Sequence, residues 1–334
     1  MPARLALVRR VRGAVPEPLR ERARRVLATR LERRLLESPA TRGAAIVLHS
    51  VAPRGGDPRL EIDPPVAADA LERAVSHLSR RYRPVTAAEL PSAARARAAG
   101  EPIPVAVTFD DDLPSHVEHA LPVLRRHGAA ATAFLCGARS PFWWQLLQVA
   151  MDRRLVAPEG LPPLPPELVE GALERRPRAI GRLAQAAERL SPDERDALEL
   201  RLRDVVADGV APPLGPDGAA ALADAGWELG AHTPRHHLLT ALDDETLADE
   251  LERRPDATGE LPRTLAYPHG KAAEREARAA RAAGYEAAYT GRSEVFTAET
   301  DPHLIGRLQP DTTTLGRFAL ELARALTDPD PDPT

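Results

Sequence analysis

The regular alternation of short apolar runs with longer segments of helical period constrains the fold of this chain more than any other feature. Consecutive parallel strands need such crossover segments between them, so the pattern predicts a parallel sheet or barrel. We predict strands over residues 45–49, 105–110, 131–136, 227–232, 264–268, 286–290 and 303–307. We predict helices between them over residues 66–81, 114–127, 216–225, 243–254 and 272–283. The chain is therefore expected to adopt an α/β fold.

Three segments depart from this alternation. Residues 138–215 are long, punctuated by prolines (LPPLPPEL) and otherwise helical in pattern, which indicates an insertion. Residues 1–43 are interpreted as a basic helical N-terminal extension, and the proline-rich tail 327–334 is expected to be disordered. The main domain is thus predicted to span residues 44–326.

Composition excludes several classes of protein. The net charge of −4 gives no basis for nucleic acid binding, and no apolar run is long enough for a membrane span or a signal peptide. We therefore expect a cytoplasmic protein. In residues 1–36, arginines alternate with Leu and Val at helical spacing, which predicts either peripheral contact with an anionic membrane or a solvated helix.

The run VAVTFDDD ends a predicted strand in three consecutive carboxylates, those of Asp110, Asp111 and Asp112. The carboxyl ends of parallel strands carry the active sites of barrels and open sheets. Because adjacent strand residues point to opposite sides, the three acids cannot share one task. The alternative interpretation is a solvated cap of the following loop.

The segment GAHTPRHHLL places His232 and His236 four residues apart at the end of another predicted strand. Histidines at this spacing can converge on one cation if the chain turns into a helix between them, and Pro234 suits a first helical turn. A chance pair of surface histidines is the alternative. A third segment, LAYPHG, forms a turn at His269 that can present a backbone N–H to a ligand.

In this order the three segments resemble the polysaccharide deacetylase family, also called carbohydrate esterase family 4 or the NodB-homology domain. The resemblance covers residues 44–326. The family's first motif, Thr-Phe-Asp-Asp-Gly, is matched by residues 108–111, and its second, His-Ser/Thr-x-x-His, by His232, Thr233 and His236. The resemblance implies a distorted (β/α)7-type barrel, here interrupted by the helical insertion.

Carried onto the matching positions, the family's roles make Asp110 the general base and Asp111, His232 and His236 the ligands of a divalent metal. Two imidazoles and one carboxylate suit Zn²⁺ best. The implied reaction is metal-assisted removal of N-acetyl groups from an amino-sugar glycan or its precursor, so the implied partner is a carbohydrate. The backbone N–H of His269 would hold the oxyanion.

Three features depart from the family pattern. Asp112 replaces the glycine after the two aspartates, and a third carboxylate here would alter metal ligation or substrate access. Ala266 replaces the arginine that braces the base, and the Leu-x-His motif that supplies the acid has no match after residue 290. We predict that Arg307 provides the missing brace by pairing with Asp110, an ordinary surface ion pair being the alternative.

An exopolysaccharide-associated branch of the family has a third motif that residues 265–270 resemble, together with a histidine ending the first strand that His49 matches. We predict that His49 is the acid or a substrate-orienting residue, with a structural histidine as the alternative. Trp143, at the head of the insertion, is a candidate for stacking on a sugar ring, although large aromatics also pack in cores.

Two other functions are consistent with these motifs. The same centre could hydrolyse another amide, such as a cyclic imide. The chain could instead be a non-catalytic carbohydrate-binding partner in a glycan-synthesis complex. Asp112, Ala266 and the missing acid motif favour the non-catalytic reading, whereas the metal triad opposes it.

Overall fold

The computed structural model describes residues 16–206 and 208–328. Residues 1–15 of the predicted basic extension, with their part of the predicted membrane contact, lie outside the described residues. Residues 329–334 of the predicted disordered tail also lie outside them. Within the described part of the chain, no helix combines the length and apolar character needed to cross a membrane.

The core of the fold is a curled parallel sheet. The strands are β1 (Ala44–Leu48), β2 (Val51–Ala52), β3 (Val66–Ala67), β4 (Arg83–Val85), β5 (Pro104–Asp110), β6 (Thr132–Leu135), β7 (Glu228–Ala231), β8 (Thr264–Ala266) and β9 (Ala287–Tyr289). The main sheet runs β1-β5-β6-β7-β8-β9, with β4 paired to the start of β5, and β2 and β3 form a separate pair. Every residue of β1 and β5 is buried, which parallel sheets covered on both faces require.

The predicted strand 303–307 is wrong as a regular element, but this segment closes the barrel. Ile305 bridges to Tyr289 on β9, and Leu308 bridges to Ile46 on β1. The backbone N–H of Thr290 donates to the Ile305 carbonyl at 2.7 Å. The segment pairs with β9 at Ile305 and with β1 three residues later, so it forms no continuous β-ladder with either strand. The result is the expected distorted barrel.

Helices surround the barrel and build the insertion. They are α1 (Glu17–Glu37), α2 (Ala68–Arg81), α3 (Leu90–Ala96), α4 (Leu121–Arg126, preceded by a π-helical turn at His116–Ala120), α5 (Trp143–Asp152), α6 (Pro166–Leu173), α7 (Ala179–Glu188), α8 (Pro192–Val205), α9 (Gly215–Asp224), α10 (Asp244–Leu251), α11 (Glu274–Ala282) and α12 (Leu315–Thr327). All five helices predicted between strands are confirmed within a few residues. Helices α3 and α12 and strands β2 to β4 were not predicted.

Helix α1 is joined to the barrel domain rather than solvated on all sides. The Glu21 carboxylate accepts hydrogen bonds from the Thr314 hydroxyl at 2.7 Å and from the Gly316 backbone N–H at 2.6 Å. Ala28 of α1 is buried in a small apolar cluster with Ala319 of α12. The two ends of the described chain therefore pack together on one side of the fold.

The insertion between β6 and β7 is helical, as predicted, and has an apolar core of its own. This core comprises buried residues of α5 to α8 and of the loops between them: Trp143, Leu146, Leu147, Ala150, Met151, Leu161, Leu164, Val169, Ala172, Ile180, Leu183, Ala184, Ala187, Leu198, Leu202 and Val206. It is separate from the larger cluster that joins the barrel strands to their covering helices. A second core of this kind lets the insertion hold a rigid shape beside the barrel.

Candidate metal centre

The residues predicted to carry the chemistry lie at strand ends on one edge of the barrel. Asp110 is the last residue of β5, and His232 follows β7 directly. Asp111, Thr233 and His236 have positive φ angles of 70°, 60° and 50°. Each costs about 1–2 kcal/mol for a residue other than glycine, and such backbone persists where its surroundings fix it.

Asp111, His232 and His236 converge as predicted. The Nε2 atoms of His232 and His236 lie 3.7 and 3.5 Å from Oδ1 of Asp111, and one ligand atom from each residue lies within 4.8 Å of the others. All three side chains are buried. The alternative of a chance pair of surface histidines is therefore wrong.

The donor set of these three residues fits a divalent cation. Oδ1 of Asp111 is buried and has no hydrogen-bond partner among the described residues, and burial raises the pKa of this carboxyl to about 8. Burial also lowers the pKa of His232 to about 4, so its ring is neutral. The His232 Nδ1–H donates to the Ala266 carbonyl at 2.8 Å, which leaves the Nε2 lone pair free to bind a metal.

Asp110 is held by the arginine that we predicted. Nη1 and Nη2 of Arg307 donate to Oδ1 and Oδ2 of Asp110 at 2.6 and 2.7 Å, and both residues are buried. Burial alone would raise the pKa of Asp110, but Arg307 and His232 hold it far below its usual range. The predicted pairing is confirmed, and the carboxylate is charged at neutral pH. It is not a surface ion pair, because Arg307 is only 3% exposed.

The Asp112 carboxylate bonds the loop after β6, and Asp112 also lines a cavity of about 570 Å³ together with Thr233 and Pro234, so its role in substrate binding stays a prediction. Its Oδ2 and Oδ1 accept the backbone N–H groups of Cys136 at 2.8 Å and Gly137 at 3.1 Å. Burial raises the pKa of Asp112 to about 6 against the effect of these bonds. Through these two bonds the Asp112 carboxylate holds the loop after β6.

His49 ends β1 beside an acid that was not singled out from the sequence. Its Nδ1 lies 3.9 Å from Oδ1 of Asp63, and its side chain is 33% exposed. Burial lowers the pKa of His49, but Asp63 and the site carboxylates outweigh this effect and raise it overall. A cavity of about 230 Å³ opens here, lined in part by Ser50 and Gln309. His49 is thus a partly accessible histidine with an acidic partner, placed where a proton donor could act.

Trp143 is not available to stack on a sugar, so that prediction is corrected. It is 3% exposed and belongs to the core of the insertion. Its neighbour Trp144 is half-buried and stacks on Phe142, whose ring meets the edge of His236 at 5.7 Å. Helical periodicity turned the first tryptophan inward and left the second nearer the surface.

The insertion reaches the site through residues that the sequence did not reveal. Arg195 of α8 donates from Nη2 to the His236 carbonyl at 2.7 Å and to the Arg235 carbonyl at 3.3 Å. Its Nη1 lies 3.3 Å from Nε2 of His269, and a Glu188 oxygen lies 3.7 Å from the other ring nitrogen of that histidine. In an arginine-rich chain, no local signal distinguished Arg195 from its neighbours.

Comparison with known families and structures adds an independent result. Residues 97–157 and 179–288 match the family model described as polysaccharide deacetylase. No match was found among curated protein sequences. The matched residues include both predicted motifs and cover more than half of the chain.

Several solved structures share the fold. The Streptococcus pyogenes deacetylase PplD, in complex with acetate, superposes with a TM-score of 0.57 at 13% identity, covering 86% of this chain and 99% of that one. IcaB from Ammonifex degensii gives 0.52 at 16% identity, covering 85% and 98%. The Bacillus cereus polysaccharide deacetylase BC0361 gives 0.52 at 16% identity, covering 85% and 69%. At these identities the likeness concerns the fold alone.

Proposed function

The chain belongs to the polysaccharide deacetylase family, and on this premise we propose that it uses a divalent metal to remove N-acetyl groups from an amino-sugar glycan or its precursor. Asp111, His232 and His236 would hold the metal, and Asp110 would be the base. Zn²⁺ suits two imidazoles and one carboxylate best. A carbohydrate is the expected partner.

One observation carries this proposal. A buried oxygen of Asp111 has no hydrogen-bond partner among the described residues, and it faces two neutral imidazole nitrogens beside a second carboxylate that is charged. Leaving such an oxygen unsatisfied in the interior is costly, and a cation would relieve that cost. With a cation bound, the arrangement would supply the two components that amide hydrolysis needs, an electrophilic centre and an adjacent base.

The residues of the site divide the reaction between them. Asp111, His232 and His236 would hold a divalent cation, which would supply polarisation of the acetyl carbonyl and a lower pKa for water. Asp110 then accepts a proton from the attacking water, since each of its oxygens keeps an acceptor direction beyond its bond to Arg307. The backbone N–H of His269 stabilises the negative charge that develops on the carbonyl oxygen.

The departing amine needs a proton, and His49 is the proposed donor. The raised pKa of His49 keeps more of it protonated near neutral pH, and Asp63 stabilises that charged form. A protonated imidazole can transfer its proton to the amine nitrogen as the C–N bond breaks. In this assignment His49 takes the place of the acid motif that the sequence lacks.

Metal-dependent acetate release tests the proposal. Purified protein should release acetate from chitooligosaccharides, lose activity after treatment with a chelator and regain it when Zn²⁺ is restored. His232→Ala should lose both bound metal and activity. His77→Ala is a suitable control, since His77 pairs with Glu32 away from the site.

Two outcomes would redirect the assignment. Hydrolysis of small cyclic imides without acetate release from glycans would keep the metal centre but change the substrate class. If neither the wild type nor His232→Ala binds a divalent ion, the proposed enzymatic function is wrong and the non-catalytic carbohydrate-binding role replaces it.

A further inference from the structure

The two histidines of the candidate metal centre are oriented by different means. The His232 ring is fixed by the hydrogen bond from its Nδ1 to the Ala266 carbonyl. The His236 ring has no such bond, because its Nδ1 is buried without a partner among the described residues. Ligand histidines usually gain their orientation through the ring nitrogen that does not bind the metal. His236 must therefore be oriented in another way.

The main chain at His236 is held by the insertion. The Arg195 guanidinium donates to the carbonyls of both Arg235 and His236, where the backbone takes a left-handed turn with φ of 50° at His236. A left-handed turn at a residue other than glycine persists only when its surroundings fix it. Holding two consecutive carbonyls fixes the direction in which the His236 side chain leaves the main chain.

The environment of Arg195 indicates that this contact is its principal role. Arg195 is 4% exposed, and it forms no ion pair at 4.0 Å or less with a described residue. A buried cation needs compensation, and the hydrogen-bond partners of the Arg195 guanidinium are two carbonyl oxygens and the His269 ring. The planar fork of a guanidinium can bond two acceptors at once, whereas an ammonium is a single point charge.

Helix α8 is itself well anchored where Arg195 leaves it. Its N-terminus carries a capping box, in which Ser191 and Glu194 satisfy each other's backbone N–H groups. The next residue, Asp196, lies 3.1 Å from Nε2 of His237. Two consecutive residues of the insertion thus contact three consecutive residues, 235–237, of the loop that carries His236.

We propose that Arg195 is a positioning residue of the metal centre, which fixes the main chain at His236 and so directs its imidazole toward Asp111. The inference rests on the proposed function, because it requires that the centre binds a metal. It also gives the insertion a role, since the insertion supplies an orienting contact that the barrel does not.

The test measures metal binding rather than activity. Arg195→Met keeps most of the side-chain volume but removes the donors, and it should weaken Zn²⁺ binding about 10- to 100-fold in competition with a chromogenic chelator. The visible spectrum of the Co²⁺-loaded variant should also differ from that of the wild type, because the ligand geometry changes. Arg201→Met is the matched control, since Arg201 is an exposed residue of the same helix that bonds the Pro162 carbonyl.

A conservative variant separates positioning from folding. Arg195→Lys keeps the charge but can reach only one carbonyl well, so its Zn²⁺ affinity should lie between those of Arg195→Met and the wild type. If Arg195→Met does not fold, Arg195→Lys decides the question. Wild-type affinity and an unchanged Co²⁺ spectrum in the folded variants would overturn the inference alone. Absence of metal uptake by the wild type would instead overturn the proposed function, and the inference with it.

Discussion

His232 and His236 lie four residues apart in the sequence, yet two different regions of the molecule hold them. The barrel holds His232, since a strand-end carbonyl at Ala266 fixes its ring. The insertion holds His236, through Arg195 on its main chain. The barrel alone therefore does not build the site. The part around His232 is held by the strand ends, whereas the part around His236 is held by the insertion, which has a core of its own.

The residues on the barrel side of the site form the stronger electrostatic interaction. Asp110 and Arg307 form a bidentate ion pair, and both residues are buried. The insertion side relies instead on an arginine that bonds neutral carbonyls. We therefore expect changes on the barrel side to alter chemistry and stability together, and changes on the insertion side to alter metal geometry or local stability.

The largest expected effect is on catalysis at the barrel side. Asp110→Asn preserves shape but removes the proton acceptor, so acetate release should fall about 10²- to 10⁴-fold while bound metal is retained. Asp112→Asn is the matched control, because the Asp112 carboxylate accepts bonds from backbone N–H groups after β6. Equal losses in the two variants would mean that Asp110 has no special role.

The next largest effect concerns stability and its pH dependence. Arg307→Met leaves Asp110 as a buried carboxylate without its partner, which should cost about 3–5 kcal/mol of unfolding free energy at neutral pH. A carboxyl with a lowered pKa stabilises the fold above its unfolded pKa of about 4 and loses that contribution as pH falls through its folded pKa. In Arg307→Met, burial without the arginine raises the pKa of Asp110, so the variant is relieved of its penalty by protonation at a higher pH. The difference in unfolding free energy between wild type and variant should therefore narrow as pH falls from neutral toward about 4, and narrow further below it.

Urea unfolding at several pH values measures this effect. Arg292→Met is the control, since the exposed Arg292 side chain bonds only the Ala272 carbonyl among the described residues. The activity of Arg307→Met should also decline at a higher pH than that of the wild type as conditions become acidic, because the pKa of Asp110 rises. A pH-independent stability difference would contradict this account of the pair.

A somewhat smaller effect is expected in the core of the insertion. Trp143→Ala should cost about 3 kcal/mol by opening a cavity, whereas Trp144→Ala, on the same helix but half-buried, should cost less. Hydrogen exchange would locate the loss in α5 to α8 rather than in the barrel strands. A rise in KM for chitooligosaccharides without loss of stability in Trp143→Ala would restore the sugar-stacking role.

The smallest effect should come from the exposed contact of the insertion. Asp196 is 57% exposed where it meets His237, and solvent screens such pairs. Asp196→Asn should change the unfolding free energy by less than about 1 kcal/mol and leave Zn²⁺ affinity unchanged. A loss of affinity as large as that expected for Arg195→Met would show that both contacts position the loop.

Local sequence patterns predicted much of the site. Asp111, His232 and His236 were identified because the motif spacing and the apolar strands before them are encoded in short segments. The pairing of Arg307 with Asp110 was predicted only by asking which cation could replace the missing brace. Trp143 was assigned to the wrong surroundings, because its side-chain direction depends on a core that the strand pattern does not describe.

The sequence by itself determined strands β1 and β5 to β9 and the polar residues at the ends of β5 and β7, since strand and helix periodicity act over a few neighbouring residues. It also determined the helical character of the insertion. The tertiary structure alone decided that residues 303–307 close the barrel as an irregular segment. It also decided that Arg195 bonds the loop that carries His236. Arg195 contacts His236 across 41 positions of the chain, and Arg307 contacts Asp110 across 197. Contacts at such separations follow from packing of the whole fold, so no local pattern records them.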